Sequence, residues 1–141
     1  MISNFFLMPG FLKFLTGMAF VCFFFIISTA LPGTVNIHGH LVSTREWWSN
    51  GSGFVFAISF ILLGSSGILM LKRAVYSRAL HIAGWISSGI AALIVVNINN
   101  ITMPQSESYA YAGFSLASTT VFAIYLYFNK RVRIYFDRAQ N

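Results

Sequence analysis

The chain has 141 residues, 57% of them hydrophobic and only 9% charged, with a net charge of +6. A soluble domain carries roughly a quarter charged residues, and a chain this short cannot hide so much apolar surface inside itself, so lipid is the natural solvent for the excess. The positive charge does not point to nucleic acid, because the basic residues stand at the ends of apolar runs rather than along one polar face.

Taken from the start, the chain opens on Phe5, Phe6, Leu7, Met8, Phe11 and Leu12, interrupted by Pro9-Gly10. This reads as a short amphipathic lead-in at the membrane surface, with a break at Met8 because proline disfavours helix in the residue before it. Four apolar runs follow: Phe14 to Leu31, Phe54 to Leu71, Ala79 to Val96 and Ala110 to Phe128. A spanning helix needs about 20 mainly apolar residues. None of the runs contains Asp, Glu, Lys or Arg, and none has an interior proline. The predicted fold is a single-domain all-α membrane protein, a four-helix transmembrane bundle. Its helices cover about 12–31, 54–71, 79–97 and 110–128, with an outer loop at 32–53 and a cytoplasmic tail at 129–141. A competing outline is a signal peptide, with Lys13, the phenylalanine-rich run and cleavage near Ser28-Thr29-Ala30. The run is long for a signal sequence, so a retained span is expected.

Basic residues near span ends stay cytoplasmic. Lys13, Lys72, Arg73, Arg78, Lys130, Arg131, Arg133 and Arg138 fall on one side of this topology, leaving only Arg45 of the nine on the other. Both termini are therefore expected inside, in a bacterial inner membrane. Tryptophans and tyrosines flank both ends of the runs, where their amphipathic rings favour the headgroup level.

Helices in lipid associate by close approach through small residues. The third run carries Ala83, Ser87 and Ala91, and beside them Gly84, Ser88 and Ala92. The fourth carries Gly113 and Ala117 with Ser115, Thr119 and Ala123, and the second has Gly64-Ser65-Ser66-Gly67. Helices two, three and four are expected to form the close-packed part, with Phe20, Phe23, Phe24 and Phe25 of helix one filling a groove or facing lipid. The same ladders also suit a contact between copies of the chain.

The loop from Pro32 to Gly53 is the most informative polar segment. Thr34-Val35-Asn36-Ile37 and Leu41-Val42-Ser43 are β-prone around His38-Gly39-His40, which predicts a hairpin turning near Gly39. Ser43-Thr44-Arg45-Glu46 matches a capping box, predicting a short interfacial helix through Trp47 and Trp48. Arg45, Glu46, Trp47 and Trp48 are the candidate partner contacts. His38 and His40 are candidate metal ligands, but a zinc site takes three or four, so turn residues are the expectation. His81 reads as a packing histidine, and the lone Cys22 as a small hydrophobe.

Glu46, Glu107 and Asp137 are the only acids and are too scattered for a paired-carboxylate site. No phosphate loop, nucleophile elbow or haem signature occurs, so neither an enzyme nor a cofactor is expected. No ionisable carboxylate or amine lies inside a span, which argues against an ion-coupled transporter. The expectation is a non-enzymatic protein acting by contact with a membrane partner, as an accessory subunit or an immunity-type protein. The alternatives are an oligomeric channel or small-molecule carrier, and less favoured, a metal-dependent membrane enzyme. Expected partners are the lipid bilayer and either another membrane protein or a second copy.

Overall fold

The computed structural model describes residues 2–37, 39–102 and 104–137. The chain is mostly helical: α1 (Ile2–Leu7), α2 (Gly10–Ala30), β1 (Thr34–Ile37), β2 (His40–Ser43), α3 (Thr44–Ser49), α4 (Ser52–Leu71), α5 (Ser77–Ile98), α6 (Gln105–Phe128) and α7 (Lys130–Asp137). Four of these, α2, α4, α5 and α6, are long and apolar enough to cross a membrane, the make-up of an integral membrane protein.

The helix limits follow local chemistry. Pro9, extended at φ −56° and ψ 146°, separates α1 from α2. Gly51, at φ +90°, turns the chain out of α3 and into α4. The fourth apolar helix starts well before Ala110, at Gln105, because Pro104 presets the backbone and Glu107 sits in the first turn where the helix dipole favours it.

β1 and β2 form an antiparallel hairpin with Thr34 opposite Ser43 and Ile37 opposite His40. Gly39 takes φ +84°, and its N–H donates to Asn36 Oδ1 at 2.8 Å. Ser43 caps α3, its Oγ accepting from Glu46 N at 3.2 Å. Thr44 ties the hairpin base through Gly33: Thr44 N donates to Gly33 O at 3.0 Å, and Gly33 N donates to Thr44 Oγ1 at 3.2 Å.

The packing order differs from the sequence expectation. α4 is the central helix, held between α2 and α5, while α6 touches mainly α5. Small residues of α2, not its phenylalanines alone, make the approach possible. A Cβ on Gly67 would stand 2.8 Å from Ala19 Cβ and 3.3 Å from Thr16 O. Phe23 lies against Gly64, so close that a Cβ there would overlap its ring. A ladder of small residues reports how near a neighbour can come, not which neighbour comes.

One core cluster lies where α1, α2, α4, α6 and α7 meet, around Leu12, Leu15, Met70, Leu126, Val132 and Phe136. A second, at the hairpin end, joins Val42, Trp47 and Val95. We call the first the basic end, since Lys13, Lys72, Arg73, Arg78, Lys130, Arg131 and Arg133 belong to the elements that meet there. Arg138 lies outside the described residues.

Candidate functional site

At the hairpin end the two tryptophans turn inward. Trp47 is only 3% exposed and packs, tilted by 38°, against Phe56 with ring centroids 5.4 Å apart. Trp48 donates its Nε1–H to Thr29 O at 2.8 Å, and its ring covers Gly53, where a Cβ would come within 2.6 Å. These rings fasten the hairpin and α3 onto α2 and α4, with Trp47 buried and Trp48 half-buried. Arg45 and Glu46, on the opposite side of α3, are exposed. Beneath them, Asn50 Nδ2 donates to Asn99 Oδ1 at 2.9 Å, Asn99 Nδ2 donates to Ser52 Oγ at 2.9 Å, and Ser52 N donates to Asn50 Oδ1 at 2.9 Å. This ring of amides clamps the α3–α4 turn to the end of α5.

His40 is exposed at the start of β2, opposite Ile37. His38 lies outside the described residues. Among the described residues, no group of three or more His, Cys, Asp or Glu side chains is placed to hold a metal ion.

Inside the helices, His81 is buried at 1% exposure and bonds to two side chains. Trp85 Nε1 lies 3.1 Å from His81 Nε2, and Ser66 Oγ lies 2.9 Å from His81 Nδ1. An indole N–H only donates, so Nε2 accepts and the ring proton sits on Nδ1. Nδ1–H then donates to Ser66 Oγ, whose own hydrogen goes to Leu63 O at 2.6 Å. Each side-chain polar atom of this Trp85–His81–Ser66 relay therefore has a partner. Beside it, a cleft of about 250 Å³ opens between α2 and α6, walled by Met18 and Cys22, floored by Phe60 and Leu63, and backed by His81 and Trp85. Its lining is almost wholly apolar.

The basic end holds what the sequence reading missed. Residues 130–137, expected as tail, form the amphipathic helix α7. Asn129 caps it, its Oδ1 accepting from Arg131 N at 3.0 Å and Val132 N at 3.3 Å. Val132, Tyr135 and Phe136 recur at helical spacing and are buried in the core. Tyr135 donates its hydroxyl to Met70 O at 3.0 Å, locking α7 to the end of α4. Burial pushes the Tyr135 phenol up from its ordinary range, against a smaller lowering from Arg73. The Arg73 guanidinium lies over the Tyr135 ring at 5.0 Å, and Arg78 lies 5.0 Å from the Tyr127 ring and 5.2 Å from Phe136. The signal was in the sequence: a cap residue followed by apolar residues three and four apart.

The predicted small-residue contacts divide into used and unused. Gly64, Gly67 and Gly84 are filled by Phe23, Ala19 and Leu63 respectively. Ser87 and Ser88 are half-buried, and their hydroxyls bond to their own helix, at Gly84 O and Trp85 O. Ala83 is exposed. Gly113 and Ala117 are exposed too, and nothing lies within 4 Å of where a Gly113 Cβ would stand. α6 meets α5 at Gly89, which Ser115 covers, and at Trp85, whose ring is 5.1 Å from Phe122. Towards the hairpin end, residues 109–114 of α6 are exposed. A groove of about 230 Å³ runs between α5 and α6 past Gly89, Ile90, Ala112 and Leu116. Thr119 lines it and is 7% exposed, with a buried hydroxyl that has no hydrogen-bond partner among the described residues. Compared with protein families, with curated proteins and with solved structures, the chain finds no match.

Proposed function

We propose that this is a non-enzymatic, four-span protein of a bacterial inner membrane, a helix bundle with both termini and its basic end in the cytoplasm and the hairpin outside, and that it acts by contact with another membrane protein. The carrying observation is the unequal use of its glycines. Gly64, Gly67, Gly84 and Gly89 are each closed by a side chain of the same molecule, whereas Gly113, like Gly17 on α2, is open. With Ala110 and Ala117 it forms an exposed small-residue face at helical spacing on α6. In lipid such faces bring helices together by close backbone approach. The groove beside it gives an incoming helix a seat. Recognition thus moves from the outer loop, where Trp47 and Trp48 are occupied, to the fourth span.

The test is photo-crosslinking in native membranes from position 113 or 117, with position 61 as a lipid-facing control on α4. A discrete adduct with one other membrane protein from 113 and 117, absent from 61, supports the reading. An adduct of twice the chain's mass shows a second copy instead, and lipid adducts alone at all three positions overturn it. A second reading, a carrier of an apolar molecule, is favoured by the α2–α6 cleft. It requires that filling the cleft, for example by Ser88→Phe, displace a bound lipid-like molecule.

A further inference from the structure

At the basic end a pocket of about 230 Å³ opens between α1, the α4–α5 link and α7. Its walls divide by chemistry. Leu7, Met8, Pro9 and Ile134 supply apolar surface and Arg73, Arg131 and Tyr135 polar groups, with no carboxylate among the lining residues. The two arginines come from elements 58 positions apart in number, so the pocket exists only because α7 docks.

Arg73 is held there by its surroundings. Its backbone sits at φ +57°, a left-handed conformation that a non-glycine residue adopts at a cost. The Tyr135 ring supports its guanidinium. Its Nε is buried and has no hydrogen-bond partner among the described residues. No carboxylate among the lining residues offsets the guanidinium, so an anion in the pocket meets its charge uncompensated. Arg131 lies one helical turn from Tyr135 on α7, is exposed, and keeps its charge at the pocket mouth.

We propose that this pocket binds a phosphate group carried by an amphiphile, held between Arg73 and Arg131 with its apolar part along Leu7 and Ile134. Arginine forks match phosphate oxygens in pairs. The pocket lies at the level where α4 ends and α5 begins, which in a membrane is headgroup depth. Exposed Leu7 and Ile134 continue the apolar wall outward from it. A phospholipid and free inorganic phosphate share this chemistry and are separated by experiment.

Full-length protein in a neutral detergent is mixed with phosphatidylglycerol, with phosphatidylcholine or with inorganic phosphate, and bound lipid is counted by native mass spectrometry. The salt is held at about 0.5 M, where the pull of exposed charges is screened. One retained phosphatidylglycerol is expected. Arg131→Gln should weaken it by about tenfold or more, the loss of a charge-assisted contact, and Arg73→Gln likewise. Arg133→Gln removes the same charge from the same helix outside the pocket and should leave binding unchanged. Should Arg73→Gln undock α7, exposed Arg131 still decides. Displacement of the lipid by inorganic phosphate, or thermal protection by phosphate that Arg131→Gln abolishes, assigns the site to phosphate as such. Equal losses for Arg131→Gln and Arg133→Gln, or no effect of lipid and phosphate alike, overturn the proposal.

Discussion

Ser66 on α4 and His81 on α5 face each other across the helix interface, Oγ to Nδ1 at 2.9 Å. Because Trp85 donates to the other ring nitrogen, the pair has one consistent proton arrangement, with His81 as donor and Ser66 as acceptor. Nitrogen NMR of the labelled protein should find His81 Nδ1 protonated and Nε2 bare. Ser66→Ala and His81→Phe should each destabilise, and a double-mutant cycle should give a coupling of about 0.6–1.7 kcal/mol, the range for interhelical hydrogen bonds in membranes. A coupling near zero would show that the two residues merely sit side by side.

The glycines separate folding from recognition. Gly84→Ala places a Cβ 2.7 Å from Leu63 Cγ and 3.1 Å from Leu63 N, where backbone must move. Gly67→Ala meets Ala19 Cβ at 2.8 Å. Each should cost about 1–3 kcal/mol by overpacking. Gly113→Ala meets nothing and should leave thermal stability unchanged or slightly raised, since alanine favours helix by roughly 1 kcal/mol over glycine. Unfolding in detergent by circular dichroism checks all three.

α7 should be released by alkali. The Tyr135 phenol is raised in the fold, so the unfolded or undocked chain gives up its proton first. Stability from this group is fully present below the ordinary tyrosine value, about pH 10, and is lost as pH climbs above it through the raised value. Phenolate also cannot donate to Met70 O. Hydrogen exchange of 130–137 should rise steeply above about pH 10, and Tyr135→Phe should remove the steep step. Phe136→Ala, at a fully buried ring, should undock α7 at neutral pH, costing about 3–5 kcal/mol.

The helical runs, the hairpin turn at Gly39 and the Ser43 cap were legible because each rests on local chemistry: charge-free length, a left-handed glycine, a hydroxyl facing free N–H groups. α7 was equally legible from Asn129, Val132, Tyr135 and Phe136, but the surrounding arginines drew the eye to charge and away from period. The neighbours of each helix were not legible. Gly113 and Gly84 look alike in sequence, and only three-dimensional placement shows that Leu63 fills one while the other stays open. The burial of Trp47 was not legible for the same reason, since an interfacial aromatic and a core aromatic have the same spelling. The meeting of Arg73 with Arg131 depends on tertiary docking and leaves no local trace.

Asn50-Gly51-Ser52 and Asn100-Ile101-Thr102 both match the N-glycosylation pattern, and the first should stay unmodified even in a glycosylating host. Ser52 is fully buried and accepts from Asn99, and the Asn50 amide is engaged with the same residue. Endoglycosidase treatment should leave the mobility of an Asn100→Gln variant unchanged. Asn99→Ala breaks this ring and its bond to Val95 O at 2.8 Å, and should cost about 1–3 kcal/mol through the polar groups left unpaired.

The proposed function requires four crossings with the basic end inside. Thiol labelling tests that directly, because Cys22 is the one native cysteine. In a Cys22→Ser background, single cysteines replace Asn36, Glu107, Lys72 or Lys130, all exposed, and intact bacterial cells expressing each variant meet a membrane-impermeant maleimide. Asn36→Cys and Glu107→Cys should label in intact cells, and Lys72→Cys and Lys130→Cys only after permeabilisation. Labelling of Lys72→Cys or Lys130→Cys in intact cells, or protection of Asn36→Cys, would contradict it.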